Sequence, residues 1–182
     1  MKRKILLICL SAVITSAFFA QEISYNIGDI GPAKGIIFYD KGVFSNGWRY
    51  LEAYPVETES AVQWGAYKHD VPGTESEIGS GKRNTELILE KIREVGGARQ
   101  AAQLCASLEF NGFSDWFLPS KDELDMMYKN MKQINLGNFI KDKYWSSTQY
   151  TNDMAWNLKF NNGKFDKSHK DQKCNVRAIR AF

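Results

Sequence analysis

The order in which two hydrophobic periodicities occur is the strongest constraint on the fold of this chain. In residues 48–53 (WRYLEA), successive side chains fall on alternate sides in the pattern of a half-buried strand. Residues 84–131 repeat apolar side chains at helical spacing, and residues 156–160 return to alternation. Strands first, helices next and strands last is the order of an α+β domain, because an α/β sheet alternates the two along the chain.

The first strands are expected to form a hairpin ahead of a long loop. Residues 35–39 (GIIFY) are rich in β-formers, and turn residues occupy 40–42 and 46–47 before the strand at 48–53. Residues 55–83 contain two prolines and four glycines, which favours irregular structure. Loops of this length often carry function.

Three helices are predicted between the two groups of strands. Asn84 or Thr85 can cap the first, which has an apolar face. The second covers residues 98–108 and carries a stripe of small side chains. The third has the clearest start signal in the chain, because Ser120 and Glu123 form a capping box directly after a proline.

Strands dominate the C-terminal part of the chain. Residues 144–148 (YWSST) and 156–160 are β-prone, and residues 162–163 (NG) form a strong hairpin turn. A polar, basic stretch at 164–173 precedes a closing strand at 176–182 (VRAIRAF). We therefore expect an antiparallel meander, with the first and last strands of the domain paired.

Residues 1–20 have the layout of a secretory signal peptide. A basic start (KRK, residues 2–4) precedes an apolar run at residues 5–20, which is short for a membrane span. An uncleaved N-terminal anchor is the alternative. We expect residues 21–182 to form a single domain that is secreted, periplasmic or at the cell surface, with no membrane span after cleavage.

The charge balance argues against a nucleic-acid partner. The chain has 24 basic and 21 acidic residues, and removing the three bases of residues 2–4 leaves a neutral domain. Domains that bind nucleic acid usually carry a clear excess of bases. We therefore expect no nucleic-acid binding.

Two cysteines, Cys105 and Cys174, remain once Cys9 leaves with the signal peptide. An even pair in an oxidising compartment favours a disulfide between them. The bridge would close a loop of roughly 70 residues and stabilise the fold by about 4 kcal/mol. Two buried free thiols are the alternative.

A succession of separated motifs is similar to that of a known family. In chain order the motifs are Gly112–Leu124 (GFSDWFLPSKDEL), Tyr144–Thr148, Ala155-Trp156 with Phe160 and Gly163, and Val176-Arg177. This succession resembles the C-terminal domain family named after the Legionella collagen-like adhesin, and residues 35–53 are similar to its opening hairpin.

The resemblance implies a C-type-lectin-like fold, in which the terminal strands pair and a helix cysteine bridges to one near the last strand. Cys105 and Cys174 occupy compatible positions. The resemblance also implies that Trp116 precedes the third helix and that Trp145 and Trp156 belong to the strand core. We expect all three tryptophans to pack internally.

A calcium-bridged sugar site is not expected. Lectins of this fold that use calcium carry a Glu-Pro-Asn or Gln-Pro-Asp loop and a Trp-Asn-Asp strand. Here Trp156-Asn157 is followed by Leu158, Asn152-Asp153 is a fragment, and no proline has the required neighbours. A hard cation needs six to eight converging oxygens, so we expect no metal, and we expect no cofactor.

Catalytic alternatives lack the groups that they need. The formylglycine-generating enzymes share a similar turn before an acidic helix, but their reactive cysteine pair would here be consumed by the disulfide. Residues 79–82 (GSGK) are similar to a phosphate loop without its upstream glycine and following hydroxyl residue. His69 and His169 are single histidines in polar segments. We therefore expect that the protein is not an enzyme.

The lysine-rich segment is the expected ligand site. Its candidate binding residues are Lys164, Lys167, His169, Lys170 and Lys173. Clustered ammonium groups attract sulfated or acidic glycans in a salt-dependent way, in line with the anionic ligands of the namesake adhesin. A solvated charged loop is the alternative.

These observations predict an exported, non-enzymatic binding module. Its expected partner is an anionic glycan or an envelope or host protein. The alternatives are an enzyme related to the formylglycine-generating enzymes and a structural protein of the envelope. The sequence predicts no oligomeric state.

Overall fold

The computed structural model describes residues 23–55 and 60–182, so the predicted signal peptide at residues 1–20 lies outside the described part. One of two sheets joins the two ends of the described chain. It contains β1 (Ile36–Ser45), β2 (Trp48–Ala53) and β8 (Ile179–Ala181) in the order β1-β2-β8, with both pairs antiparallel. The expected hairpin is confirmed, and it pairs with the closing strand β8 through its second strand, β2.

The second sheet has five strands in the order β3-β7-β4-β5-β6. Three of them, β4 (Lys143–Gln149), β5 (Met154–Lys159) and β6 (Lys164–His169), form the expected antiparallel meander. The chain then reaches β7 (Lys173–Asn175), which runs parallel to β4 and pairs with β3 (Ala61–Gln63) from the long loop. This arrangement leaves β6 at one edge of the sheet.

Three helices lie between these groups of strands: α1 (Gly81–Val95), α2 (Ala101–Ala106) and α3 (Lys121–Asn130), with a short 3₁₀ turn at Lys132–Ile134. The expected capping box of α3 is present, since the Ser120 side chain accepts from the Glu123 backbone N–H and the Glu123 carboxylate accepts from that of Ser120. This local signal needs no tertiary partner, which is why the sequence predicts it correctly.

The start of α1 differs from the prediction. The helix begins after Ser80, and neither Asn84 nor Thr85 is its cap. The buried Asn84 amide donates to the Glu75 carbonyl and the Ser147 hydroxyl, and Thr85 Oγ1 accepts from the Leu118 backbone N–H. Both side chains therefore link α1 to other segments. Asn84 and Thr85 are residue types suited to a helix cap, but here they lie inside the helix and bond to those segments.

The apolar side chains form two clusters on opposite faces of β4. Trp145 packs in one cluster with Trp64 and Trp116, whereas its neighbour Tyr144 packs in the other with Leu158 and Phe160. The indole N–H of Trp145 donates to the Val62 carbonyl at 2.9 Å, which ties the long loop to the sheet. Internal packing is confirmed for Trp116 and Trp145.

An ion-pair network anchors the closing strand. The guanidinium of Arg180 is 2.7 Å from carboxylate oxygens of both Glu52 and Asp115. The fully buried Glu52 carboxylate also accepts from the backbone N–H groups of Ala33 and Gly35. Burial alone would lower the pKa of Arg180, but the two carboxylates raise it above its ordinary value. The network joins β2, β8 and the segment before the hairpin.

The predicted disulfide is not formed in this structure, because Cys105 and Cys174 are both free and buried. Cys105 lies on α2 beside Tyr54, Leu108 and Val176. The Cys174 thiol has polar neighbours on the sheet, a hydrogen bond with Ser168 and the charges of Lys143, Asp142 and Asp166. An even number of cysteines says nothing about the distance between them, so parity and export alone gave the wrong expectation.

Candidate functional site: an aromatic and lysine strip along the edge strand

The lysine-rich segment is mostly the edge strand β6 and not the loop expected from its composition. Successive side chains of a strand point to opposite faces of the sheet. Lys164 therefore lies on one face with Asp166, whereas Lys167 and His169 lie on the other. Lys173 is an exposed residue at the start of β7. The five candidate residues do not form one patch.

Lys170 is a correction to the predicted site, because its side chain is fully buried. Its ammonium donates to the His69 carbonyl at 2.9 Å and to Gln149 Oε1 at 2.7 Å, and it lies 4.6 Å from the centroid of the Trp64 ring. Burial lowers the pKa of Lys170 to about 8, although the negative charges of Asp70 and Asp153 act to raise it. Lys170 fastens the long loop to the sheet.

The face that carries Lys164 is occupied by internal charge pairs. Asp166 Oδ2 lies 2.9 Å from the ammonium groups of both Lys143 and Lys159. Hydrogen bonds from these two lysines hold the pKa of Asp166 well below its ordinary value. One carboxylate offsets only part of the charge of these lysines, so the aromatic rings, and not charge alone, distinguish the opposite face.

The opposite face presents an aromatic and lysine strip, which we define as Lys121, Tyr150, Trp156, Phe165 and Lys167. The ring centroids of Tyr150 and Trp156 are 5.2 Å apart, and those of Trp156 and Phe165 are 6.2 Å apart. The Lys167 ammonium lies 4.0 Å from the Tyr150 centroid and 4.7 Å from that of Trp156. The Lys121 ammonium lies 4.4 Å from the Phe165 centroid and 5.2 Å from that of Trp156.

The fold places this strip through three local arrangements. Trp156 of β5 is the cross-strand partner of Lys167 of β6, so register sets the central contact. Tyr150 stands at the turn after β4, where its N–H donates to the Met154 carbonyl. Lys121 begins α3, and its N–H donates to Thr148 Oγ1 of β4 at 3.0 Å. Trp156, Phe165 and Lys167 therefore stand on strands and Lys121 on a helix start, which are rigid supports, whereas Tyr150 stands on a turn.

Trp156 is a second correction, because this tryptophan is half-buried at the surface and does not belong to the core. Tyr150 is 46% exposed. Lys167 forms no ion pair within residues 23–55 and 60–182, and Lys121 has only Asp122, at 3.9 Å. Two ammonium groups and exposed ring surface are thus available together.

His169 lies at the end of the same face. Its Nδ1 is 3.8 Å from Asp153 Oδ2, and its ring centroid is 6.2 Å from that of Tyr67. A hydrogen bond from Thr151 is the main cause that lowers the pKa of Asp153, with smaller effects of His169 and Lys170. The carboxylate of Asp153 keeps this end of the face less positive than the end at Lys121.

Sequence reasoning found Lys167 but missed Lys121 and Tyr150. Lys121 belongs to the predicted start of the third helix, and Tyr150 lies between two predicted strands, in a segment to which the sequence assigns no role. In the sequence, Trp156 alternates with Leu158 and Phe160 as a core residue would. The sequence therefore did not predict that Trp156 lies at the surface. The register between β5 and β6, the turn after β4 and the packing of α3 on the sheet together bring these residues to one place.

Across residues 23–55 and 60–182, no set of three or more His, Cys, Asp or Glu side chains is placed to hold a metal ion. The helices of that same part of the chain are all too short or too polar to cross a membrane.

Comparison with known proteins identifies both a family and a similar fold. No protein with a curated description matches the chain. Among solved structures, a fimbrial protein from Bacteroides ovatus ATCC 8483 is similar, with a TM-score of 0.50 and 15% identity. The match covers 74% of this chain and 36% of that protein, so the chain corresponds to about a third of its length.

The family model for the Lcl C-terminal domain matches residues 56–180. The matched region contains the residues of the strip, the three helices, the strands from β3 to β7 and the first two residues of β8. The motifs that suggested this family in the sequence lie in the same region. This chain therefore belongs to the Lcl C-terminal domain family.

Proposed function

We propose that the chain is an exported, non-enzymatic binding module that binds sulfated or carboxylated glycans on the aromatic and lysine strip. The single observation that carries this proposal is the placement of the Lys121 and Lys167 ammonium groups around the half-buried ring of Trp156. Ammonium groups attract sulfate and carboxylate, and aromatic rings pack against the apolar faces of sugars. A ligand held this way needs no calcium bridge.

The proposal includes a C-type-lectin-like fold. Three features support it: the N-terminal hairpin pairs with the closing strand, three helices lie between the hairpin and the meander, and the chain belongs to the Lcl C-terminal domain family. The likeness to a fimbrial protein supports a location outside the cytoplasm, secreted, periplasmic or at the cell surface. The signal-like residues 1–20 agree with that location.

The state of the cysteines supports a non-enzymatic role. Burial raises the pKa of the Cys105 thiol far above its ordinary value and that of Cys174 to about 12. The thiolate is the reactive form of cysteine, and neither residue forms it near neutral pH. The chemistry of the formylglycine-generating enzymes therefore has no support in these two residues.

Binding of a heparin oligosaccharide to the mature domain tests the proposed function. We expect the double variant Lys121→Gln and Lys167→Gln to bind at least about tenfold more weakly, because each lost charged contact contributes on the order of 1 kcal/mol. The wild-type affinity should fall steeply with added salt.

The matched control is the double variant Lys164→Gln and Lys173→Gln, which removes the same charge from residues outside the strip. Its affinity should stay close to the wild-type value. Equal losses in both variants would show that only net charge matters and would contradict the assignment of the strip. Absence of salt-sensitive binding in the wild type would contradict the proposed function itself.

A further inference from the structure

A second recess lies at the end of the hairpin, formed by residues that do not belong to the strip. It has a volume of about 560 Å³, within the range of about 300–1,000 Å³ that is typical of ligand sites. Its walls come from the tip of β1 and β2, from residues 75–80 of the long loop and from the first turns of α1. We call it the hairpin cleft.

An indole ring forms one wall of the hairpin cleft. The Lys41 ammonium lies 3.8 Å from the centroid of the Trp48 ring, and Lys41 Nζ also donates to the Ser45 carbonyl. Gly79 borders the ring on the loop side, where a Cβ atom would lie 3.2 Å from Trp48 Cζ2. Ile78 and Phe117 add apolar surface.

Charged side chains of both signs line the hairpin cleft. Lys82 and Arg83 lie in the first turn of α1, and Glu75, Glu77 and Glu86 contribute carboxylates. Within residues 23–55 and 60–182, none of these five side chains forms an ion pair. Other exposed charges on the helices do pair, as Lys129 does with Asp125.

An apolar protrusion adjoins this cleft along the chain. Four residues of β1, from Lys41 to Phe44, oppose the single residue Arg49 of β2, because the paired positions on either side are Asp40 with Tyr50 and Ser45 with Trp48. The bulge exposes Val43 and Phe44, each 61% accessible. Both lie between the cleft-lining residues Lys41 and Ser45.

We propose that the hairpin cleft binds a short extended peptide of a partner protein. The peptide carries an apolar side chain for the wall at Trp48, an acidic side chain for Lys82 and Arg83, and a basic side chain for Glu75 and Glu77. Charge complementarity selects this occupant, since a cleft lined by both basic and acidic side chains matches a peptide of mixed charge better than a uniformly anionic glycan. Exposed Val43 and Phe44 add the apolar contact that peptide anchors need.

Selection from a displayed library of random peptides on the mature domain tests this proposal. We expect enrichment of peptides in which acidic and basic residues flank an aromatic or aliphatic one. Binding of a selected synthetic peptide should weaken about tenfold or more in the double variant Lys82→Glu and Arg83→Glu. This variant should fold normally, because acidic residues in the first turn of a helix interact favourably with its dipole.

Three further measurements distinguish binding in the hairpin cleft from binding elsewhere on the domain. The double variant Lys164→Glu and Lys173→Glu, with the same charge change on a distant surface, should bind the peptide as the wild type does. The strip variant Lys121→Gln and Lys167→Gln should also bind it normally, which separates this proposal from the glycan site. Reversal of the acidic residue of the peptide to lysine should restore binding to the Lys82→Glu and Arg83→Glu variant.

The proposal is overturned if no peptide is enriched above an unrelated protein. It is equally overturned if the selected peptides bind the cleft variant and the wild type alike. Loss of heparin-oligosaccharide binding in the cleft variant, with no enriched peptide, would assign the hairpin cleft to glycan and would also overturn it.

Discussion

Among single residues, Glu123 shows how a buried acid can hold several segments together. Its carboxylate accepts from Gly79 N at 2.8 Å, from Ser120 N at 2.7 Å and from the backbone of Gly81. It therefore serves the start of α3 and the start of α1 at once. Residues 79–82, which are similar to a phosphate loop in sequence, surround this internal carboxylate instead.

We predict that the buried carboxyl of Glu123 makes the free energy of unfolding depend on pH. Burial raises the pKa of this carboxyl from 4.5 to about 7, although its hydrogen bonds act in the opposite direction. Between these two values the native state holds the proton more tightly than the unfolded state does. The free energy of unfolding should therefore fall by up to about 3 kcal/mol as pH rises through this window.

Urea unfolding of the wild type and of Glu123→Gln at several pH values measures this effect. Glutamine keeps an acceptor for the backbone N–H groups but cannot ionise, so its curve should lack the fall. The variant Glu86→Gln, on the exposed surface, serves as the control and should follow the wild type. Parallel curves for all three proteins would show that Glu123 does not titrate in this range.

At the level of helices and strands, the sequence predicts what local signals determine. The α3 capping box, the Asn46-Gly47 turn and the presence of the strand β5 are set by neighbours in the chain, and the structure confirms each. The order of strands, helices and strands is confirmed as well. These features depend on backbone preferences and on hydrophobic periodicity, which a single sequence displays.

Tertiary contacts explain the predictions that failed. Asn84 was expected to cap α1, but its amide crosses to Ser147 of β4. Lys170 was expected on the surface, but the loop that carries His69 and the side chain of Gln149 enclose its ammonium. A polar residue type indicates that partners are needed, but it does not say whether water or protein supplies them.

The candidate site is predictable only in part for the same reason. Lys167 stood out in the sequence because it belongs to a run of lysines. Lys121 joins it through the packing of α3 on the sheet, and the Trp156 to Lys167 register supplies the shared ring. The alternation of side chains along β6 then divides the run between two faces, and on one of them Asp166 pairs with Lys143 and Lys159.

Across the domain as a whole, Arg180 joins segments that are far apart in the chain. It connects β8 with Glu52 of β2 and with Asp115 ahead of α3. The Glu52 carboxylate is fully buried, so removing the guanidinium would leave it without its counter-charge. Removing one partner of a buried ion pair lowers the free energy of unfolding by more than the intact pair contributes to it, because the other charge stays buried without a partner.

We predict that Arg180→Met lowers the free energy of unfolding by about 3 kcal/mol or more. The matched control is Arg49→Met on the same sheet, where the pair with Asp40 is partly exposed and the expected loss is at most about 1 kcal/mol. Chemical denaturation of both variants measures the difference. Similar losses in the two variants would contradict the role assigned to the Glu52–Arg180–Asp115 network.

The glycan site is tested most directly by mapping backbone amide shifts when a heparin oligosaccharide is added to the labelled mature domain. We predict that the largest shifts cluster at Lys121, Tyr150, Trp156, Phe165 and Lys167. Residues of the opposite face, such as Lys159 and Lys164, should change little. Shifts centred on that opposite face, or scattered evenly over the surface, would contradict the assignment of the strip as the glycan-binding site.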